Sequence, residues 1–187
     1  MRFLTLEWLQ LPGHALGVPD FVDGSTHSGG VSMTGLEVEA RLGAQGHRLP
    51  EAAAPAYQYV AVVVHQGVAY VSGQIPRAGG QVLFTGKAGA EVNLVQAQRA
   101  AEACVLQALA QLKAELNDLG RVLRILKVTG YVASAPGFAQ QPQVIDAASS
   151  LLVVAFGDAG RHARSAVGVA ELPRGVPVEI ELIAAVG

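Results

Sequence analysis

Between residues 92 and 116, apolar side chains recur at positions 94, 97, 101, 105, 108, 112 and 116. Steps of three and four follow the helical repeat, so the spacing predicts a long amphipathic helix whose apolar stripe needs a covering layer. The strands that would form that layer flank it. Residues 59–65 are rich in valine, Gln66-Gly67 is a two-residue turn signal and 68–72 is strand-like again, which together predict a β-hairpin. Gly73-Gln74-Ile75-Pro76 is expected to break the second strand, and 77–91 reads as a glycine-bearing loop with one brief strand at 82–84. After the long helix, 121–133 reads as a strand. Gln141-Pro142 then opens a second helix through Phe156, with Ile145, Ala148, Leu152 and Phe156 on one face and Gly157-Asp158-Ala159-Gly160 as its stop. Two more β-patterned segments follow, within 162–173 and 178–186.

The order of hairpin, helix, strand, helix and two strands predicts an α+β domain with both helices on one side of a sheet. Yet 60–64 and 122–132 are apolar on both faces, so something must cover the second face, most simply other copies of the chain. A compact homo-oligomer is expected.

Composition narrows the functions. Thirteen Lys+Arg against fifteen Asp+Glu give a net charge of −2, without the basic block that tracks a phosphate backbone, so nucleic acid is not signalled. The single cysteine, Cys104, excludes an internal disulfide and offers no metal-ligand spacing; it borders the helical stripe and reads as a buried, inert thiol. No apolar run approaches the ~18 residues of a membrane span, and a cytoplasmic protein with no membrane partner is expected. Residues 1–32 differ from the rest: a short apolar start with Trp8, then the flexible Gly24-Ser25-Thr26-His27-Ser28-Gly29-Gly30. They read as an extension, with Met33 as the expected natural start. Thr34 and Glu37 form a capping-box pattern for a short helix carrying Leu36, Ala40 and Leu42 on its apolar face.

The chemistry-bearing residues cluster late in the chain. Arg164 in the first late segment and Glu179 and Glu181 in the second are joined by a connection holding Pro173, Gly175 and Pro177. The two strands are expected to be adjacent and to bring these side chains into one region. A guanidinium fork matches a carboxylate and a glutamate relays a proton, which suits a small carboxylate-bearing substrate. The same residues on neighbouring strands also make an ordinary salt-bridged face, so the residues alone leave both readings open. His65 and His162 read as surface or structural histidines.

From about Met33 to the end the chain resembles the RidA (YjgF) family of imine deaminases. The resemblance is carried by Tyr70-Val71-Ser72-Gly73-Gln74-Ile75-Pro76, Phe84-Thr85-Gly86-Lys87, Val128-Thr129-Gly130-Tyr131-Val132, Ala163-Arg164-Ser165, Leu172-Pro173 and Val178-Glu179-Ile180-Glu181. It implies one domain over 33–187 with a chorismate-mutase-like mixed sheet and two helices on one face, assembled as a homotrimer with clefts between subunits. It implies hydrolysis of enamine and imine intermediates such as 2-aminoacrylate and 2-iminopropanoate to 2-keto acids and ammonia, without metal or cofactor. Position by position, Arg164 matches the arginine that grips the substrate carboxylate and Glu179 the glutamate that positions the attacking water. Tyr59, Ser72, Gly73 and Ile75 match the substrate-binding wall. Ala166 stands where well-known members often carry cysteine. A non-catalytic, stress-protective trimer binding a small carboxylate is the alternative, and an endoribonuclease or a chorismate mutase are more distant ones.

Overall fold

The computed structural model describes residues 33–187, which form one compact unit. The extension reading for 1–32 lies outside the described residues. A short helix α1 (Gly35–Ala44) precedes the hairpin β1 (Val62–His65) and β2 (Val68–Gln74), followed by a two-strand ribbon, β3 (Arg77–Ala78) and β4 (Gln81–Val82). Then come α2 (Leu94–Leu116), β5 (Val122–Ala133), α3 (Gln141–Phe156), β6 (Ala163–Val169) and β7 (Val178–Val186). The ribbon replaces the single brief strand expected near 82–84.

Helix α2 begins where two side chains satisfy each other's exposed amides. Asn93 Oδ1 accepts from Gln96 N at 2.9 Å and Gln96 Oε1 accepts from Asn93 N at 3.0 Å, so two of the orphan donors at the helix start are paired. The predicted stripe is the buried face: Ala97, Ala101, Val105, Ala108 and Leu112 are inaccessible, and only Leu94 at its start is partly exposed. Cys104 is buried beside it, its Sγ donating to Val178 O at 3.6 Å. Burial and, second, the charge of Glu179 push the thiol well above its ordinary range, which makes it inert. In α1 the capping box of Thr34 and Glu37 forms as expected, but the apolar phase does not. Val38 and Leu42 are buried whereas Leu36 is 81% exposed and Ala40 faces solvent. In ten residues several faces are comparably apolar, and contact with α3 chooses among them.

The five main strands run in the order β1-β2-β7-β5-β6, antiparallel except for the β5–β6 pair. Helix α3 is the crossover that the parallel pair requires. Segment Gln141–Gly160 is long and apolar enough to cross a membrane by length and composition, contrary to the expectation that no run approaches that length. It is a core helix, with Val144, Ile145, Ala148, Leu151, Leu152, Ala155 and Phe156 buried. The last strand, β7, inserts between β2 and β5 and alternates without a break: Val178, Ile180, Leu182, Ala184 and Val186 face the helices. The opposite face of the sheet keeps Val63, Tyr70 and Val167 about half exposed, as two-sided apolar strands require. Truncating Leu182, which lies between Val71 and Val128 in the centre of the sheet, to alanine is expected to cost about 2–5 kcal/mol. Equilibrium denaturation should show a lower midpoint with an unchanged slope.

This topology corrects one expectation about the site. Strands β6 and β7 are not adjacent, because β5 lies between them and pairs with both. The connection from Val169 to Val178 is longer than a hairpin turn and carries Pro173–Gly175 as a 3₁₀ turn, with Gly175 O accepting from Gly86 N at 2.8 Å.

Candidate active site

The site starts from a fault in a strand. β2 pairs Val71 with Leu182 and then Gln74 with Ile180, so Ser72 and Gly73 together oppose the one residue Glu181. A bulge of this kind bends the strand and re-aims its side chains. Gln74 Nε2 donates to Ser72 O at 3.0 Å and fixes the bulged backbone. Gly73 lies against Glu179: a Cβ there would collide with Glu179 Oε1 and come within 2.9 Å of its carboxyl carbon. Absence of a side chain at 73 is what lets the carboxylate sit at the bulge.

Around this point opens a cleft of about 830 Å³ whose walls include Tyr59, Ser72, Gly73, Ile75 and Glu179. Five of the six residues that the family resemblance places in the site therefore share one cavity. Two buried glutamines on α2 hold the segments of its rim, Gln107 Nε2 donating to Arg77 O at 3.0 Å and Gln111 Nε2 to Ala53 O at 2.7 Å. The sequence reading missed both. The signal was two amides four residues apart beside an otherwise apolar helix face, which places them on one side.

Glu179 is half-buried, and its carboxyl is raised above the ordinary carboxylate range, first by that burial and then by the charge of Glu181. Glu181 is occupied differently. Tyr131 Oη donates to its Oε1 at 3.2 Å, and the tyrosine hydroxyl is itself raised by burial and then by Glu181. The pair thus divides into one carboxylate tied to a phenol and one lining the cleft without a bound donor among the described residues. A carboxylate with a raised pKa, beside a cavity, is suited to accept a proton from water.

Arg164 is elsewhere. It pairs across β6–β5 with Val128, a residue facing the helices, whereas Glu179 pairs with Tyr131 on the alternate register. Two strand positions and opposite faces of the sheet therefore separate Arg164 from Glu179 in one chain, and the expected shared region does not form. Its Nη1 donates to Asp146 Oδ1 at 3.1 Å and Ser149 Oγ at 3.0 Å, both on α3. His162 completes the network, its Nδ1 2.6 Å from Gly160 O and its Nε2 3.0 Å from Ser149 Oγ. A carbonyl only accepts, so in the neutral ring Nδ1 carries the proton and Nε2 accepts from the serine hydroxyl, whose oxygen is left to receive the guanidinium. His162 is structural, as expected, and holds Arg164 in place through Ser149. Ala166, in register with Gly130, packs partly into the core two residues along the same strand. Among the described residues no group of three or more His, Cys, Asp or Glu side chains is placed to hold a metal ion.

A five-stranded mixed sheet with two helices on one face, a bulged strand and a half-buried glutamate in a cleft define a small α+β domain built to hold a small molecule near a carboxylate. Residues 50–186 match the family described as Endoribonuclease L-PSP, and the chain belongs to this family, the YjgF/RidA family. Protein TCP17 of Trypanosoma cruzi is 44% identical over 147 residues, which cover 78% of this chain and 92% of that protein. A crystal structure of a protein of unknown function from Agrobacterium tumefaciens is also 44% identical, with a TM-score of 0.78 over 82% of this chain and 94% of its own. The YjgF gene product of E. coli is 26% identical, with a TM-score of 0.55 over 72% of this chain and 93% of its own. These likenesses agree with the expected sheet and its two roofing helices.

Proposed function

We propose that the protein hydrolyses imines of 2-keto acids, 2-iminopropanoate and 2-iminobutanoate among them, to the keto acid and ammonia. The observation that carries this reading is Glu179, half-buried against Gly73 in the cleft with its proton affinity raised. Water bound in the cleft attacks the carbon of the protonated imine while Glu179 accepts one of its protons, giving a neutral carbinolamine. Return of that proton to the nitrogen makes ammonia the leaving group. As the C–N bond breaks and the C=O forms, Glu179 takes the carbinolamine's hydroxyl proton and releases it to the departing ammonia, so one water is consumed, ammonium leaves and Glu179 ends as it began. Positioned acid–base help of this kind contributes about 10²–10⁴-fold.

The substrate carboxylate is assigned to Arg164. Since Arg164 and Glu179 occupy different places in one chain, the reading has the partner subunit's Arg164 close each cleft in a homotrimer. Support comes from the half-exposed Val63, Tyr70 and Val167 on the open sheet face and from the Asp146–Ser149–His162 network, which leaves much of the guanidinium for a ligand. The endoribonuclease named in the family's description has less support here, because the chain's net charge is −2 and the cleft's two arginines against one glutamate make no basic stretch that could follow a phosphate backbone.

The test measures 2-keto acid release when an amino-acid oxidase generates imines in the presence of wild type, Arg164→Ala, Glu179→Gln and a refolded equimolar mixture of the two variants. Each variant alone is expected to be nearly inactive. The mixture should regain about a quarter of wild-type activity, because random assembly pairs an intact Glu179 with a partner's intact Arg164 at that frequency. Inactive variants with no recovery on mixing would place both residues in one chain's site. Absence of acceleration by wild type with any imine would move the protein to the small-carboxylate-binding reading.

A further inference from the structure

The cleft holds more than imine hydrolysis of a three- or four-carbon acid uses. At about 830 Å³ it lies in the ~300–1,000 Å³ range that accommodates far larger ligands. Its lining also contains two arginines, Arg77 and Arg174, for which the mechanism above has no use. Arg77 begins β3 directly after the bulged wall, and its main-chain carbonyl is pinned to α2 by Gln107. Its Nε is buried and has no hydrogen-bond partner among the described residues. A buried charged donor without an acceptor is costly, and in native proteins such a group calls for an explanation. Arg174 stands at φ 58°, ψ 17° in the turn Pro173–Gly175. A left-handed conformation is unfavourable for a residue with a Cβ, and strain of this kind gathers at ligand clamps. Neither arginine takes part in an ion pair among the described residues, where the salt bridges are Lys87–Glu171, Lys113–Glu39, Arg161–Asp158 and Arg164–Asp146. Glu179 is the sole acidic residue in the described lining, so the cleft is net positive.

We infer that Arg77, assisted by Arg174, binds a second carboxylate, so that the preferred substrates are imines of dicarboxylic amino acids. The inference rests on the deaminase reading and names its substrate class. A guanidinium fork matches a planar carboxylate with two parallel hydrogen bonds, and the second anionic group on an amino-acid-derived imine is a side-chain carboxylate. The reaction that supplies such a substrate is oxidation of a dicarboxylic amino acid at its α-carbon, and the product is a dicarboxylic 2-keto acid.

The experiment compares the kcat/KM for imines generated from aspartate or glutamate with that for the imine of alanine, in wild type, Arg77→Met and Arg174→Gly. Wild type is expected to prefer the dicarboxylic imines by about 10- to 100-fold, the range of a charge-assisted hydrogen-bonded contact. The ratio should fall to near one in Arg77→Met and drop in Arg174→Gly, which relieves the φ strain and so keeps the fold. Direct binding of 2-oxoglutarate against pyruvate, by calorimetry, reads the same preference without turnover. Hydrolysis of the alanine imine with no dicarboxylate preference in either measurement would overturn this inference and leave the deaminase reading standing. Arg77-dependent binding of 2-oxoglutarate with no hydrolysis of any imine would overturn the deaminase reading instead, leaving the second-carboxylate site in place.

Discussion

Glu179→Gln is expected to lower the rate of 2-keto acid release by about 10²–10⁴-fold while the variant still binds 2-keto acids. Glutamine keeps the shape of the side chain and its place against Gly73 but cannot accept a proton, so a loss confined to kcat assigns proton handling to residue 179. A loss of ligand affinity of similar size would make Glu179 a binding group only. The raised pKa adds a pH signature. Glu179 works as an anion, so the rate should fall as pH drops through its raised folded value, above the range of an ordinary glutamate. Its stability contribution has the opposite sign from that of a paired carboxylate. A folded pKa above the unfolded one means that the native state binds more protons between the two values, so stability declines as pH rises through that window and stays lower above it. At neutral pH the ionised Glu179 is therefore a burden on the fold. Glu179→Gln should melt at a higher temperature than wild type at pH 7, the gap narrowing as pH is lowered toward the ordinary carboxylate range.

Gly73→Ala is expected to cost about 10²-fold in kcat with little change in melting temperature, because a displacement of a reacting group by about 1 Å suffices for that loss. Gly73 has no unusual φ, and what a methyl group there would strike is the far end of one side chain, the carboxyl of Glu179, not backbone. The glutamate would swing aside and the fold would survive. If Gly73→Ala keeps wild-type kcat, the approach of Glu179 to the bulge has no role in the reaction. If it unfolds, the bulge is rigid where the geometry says it can yield. Together the two substitutions separate loss of the base from its misplacement.

Much of this was written in local pattern. The stripe on α2, the bounds of α3 at Gln141 and Phe156, and the Gln66-Gly67 hairpin turn follow from period and turn chemistry, because each depends on contacts within a few residues. The wall residues Tyr59, Ser72, Gly73 and Ile75 and the glutamate at 179 were legible through the family's motifs. The apolar face of α1 was not, since Val38 and Leu36 differ only in which side meets α3. The amides of Gln107 and Gln111 and the unpartnered Arg77 gained meaning only once the rim segments lay over α2.

By itself the sequence determined the main elements, their order and the residue types at the cleft, since these rest on short-range periodicity and on side-chain chemistry. Only the tertiary structure decided that β7 enters between β2 and β5. That insertion depends on long-range pairing: a strand with one clean apolar face can dock at the centre or the edge of a sheet, and its alternation is the same in both. The consequence reaches function, because β5 between β6 and β7 parts Arg164 from Glu179 within one chain and turns them to opposite faces.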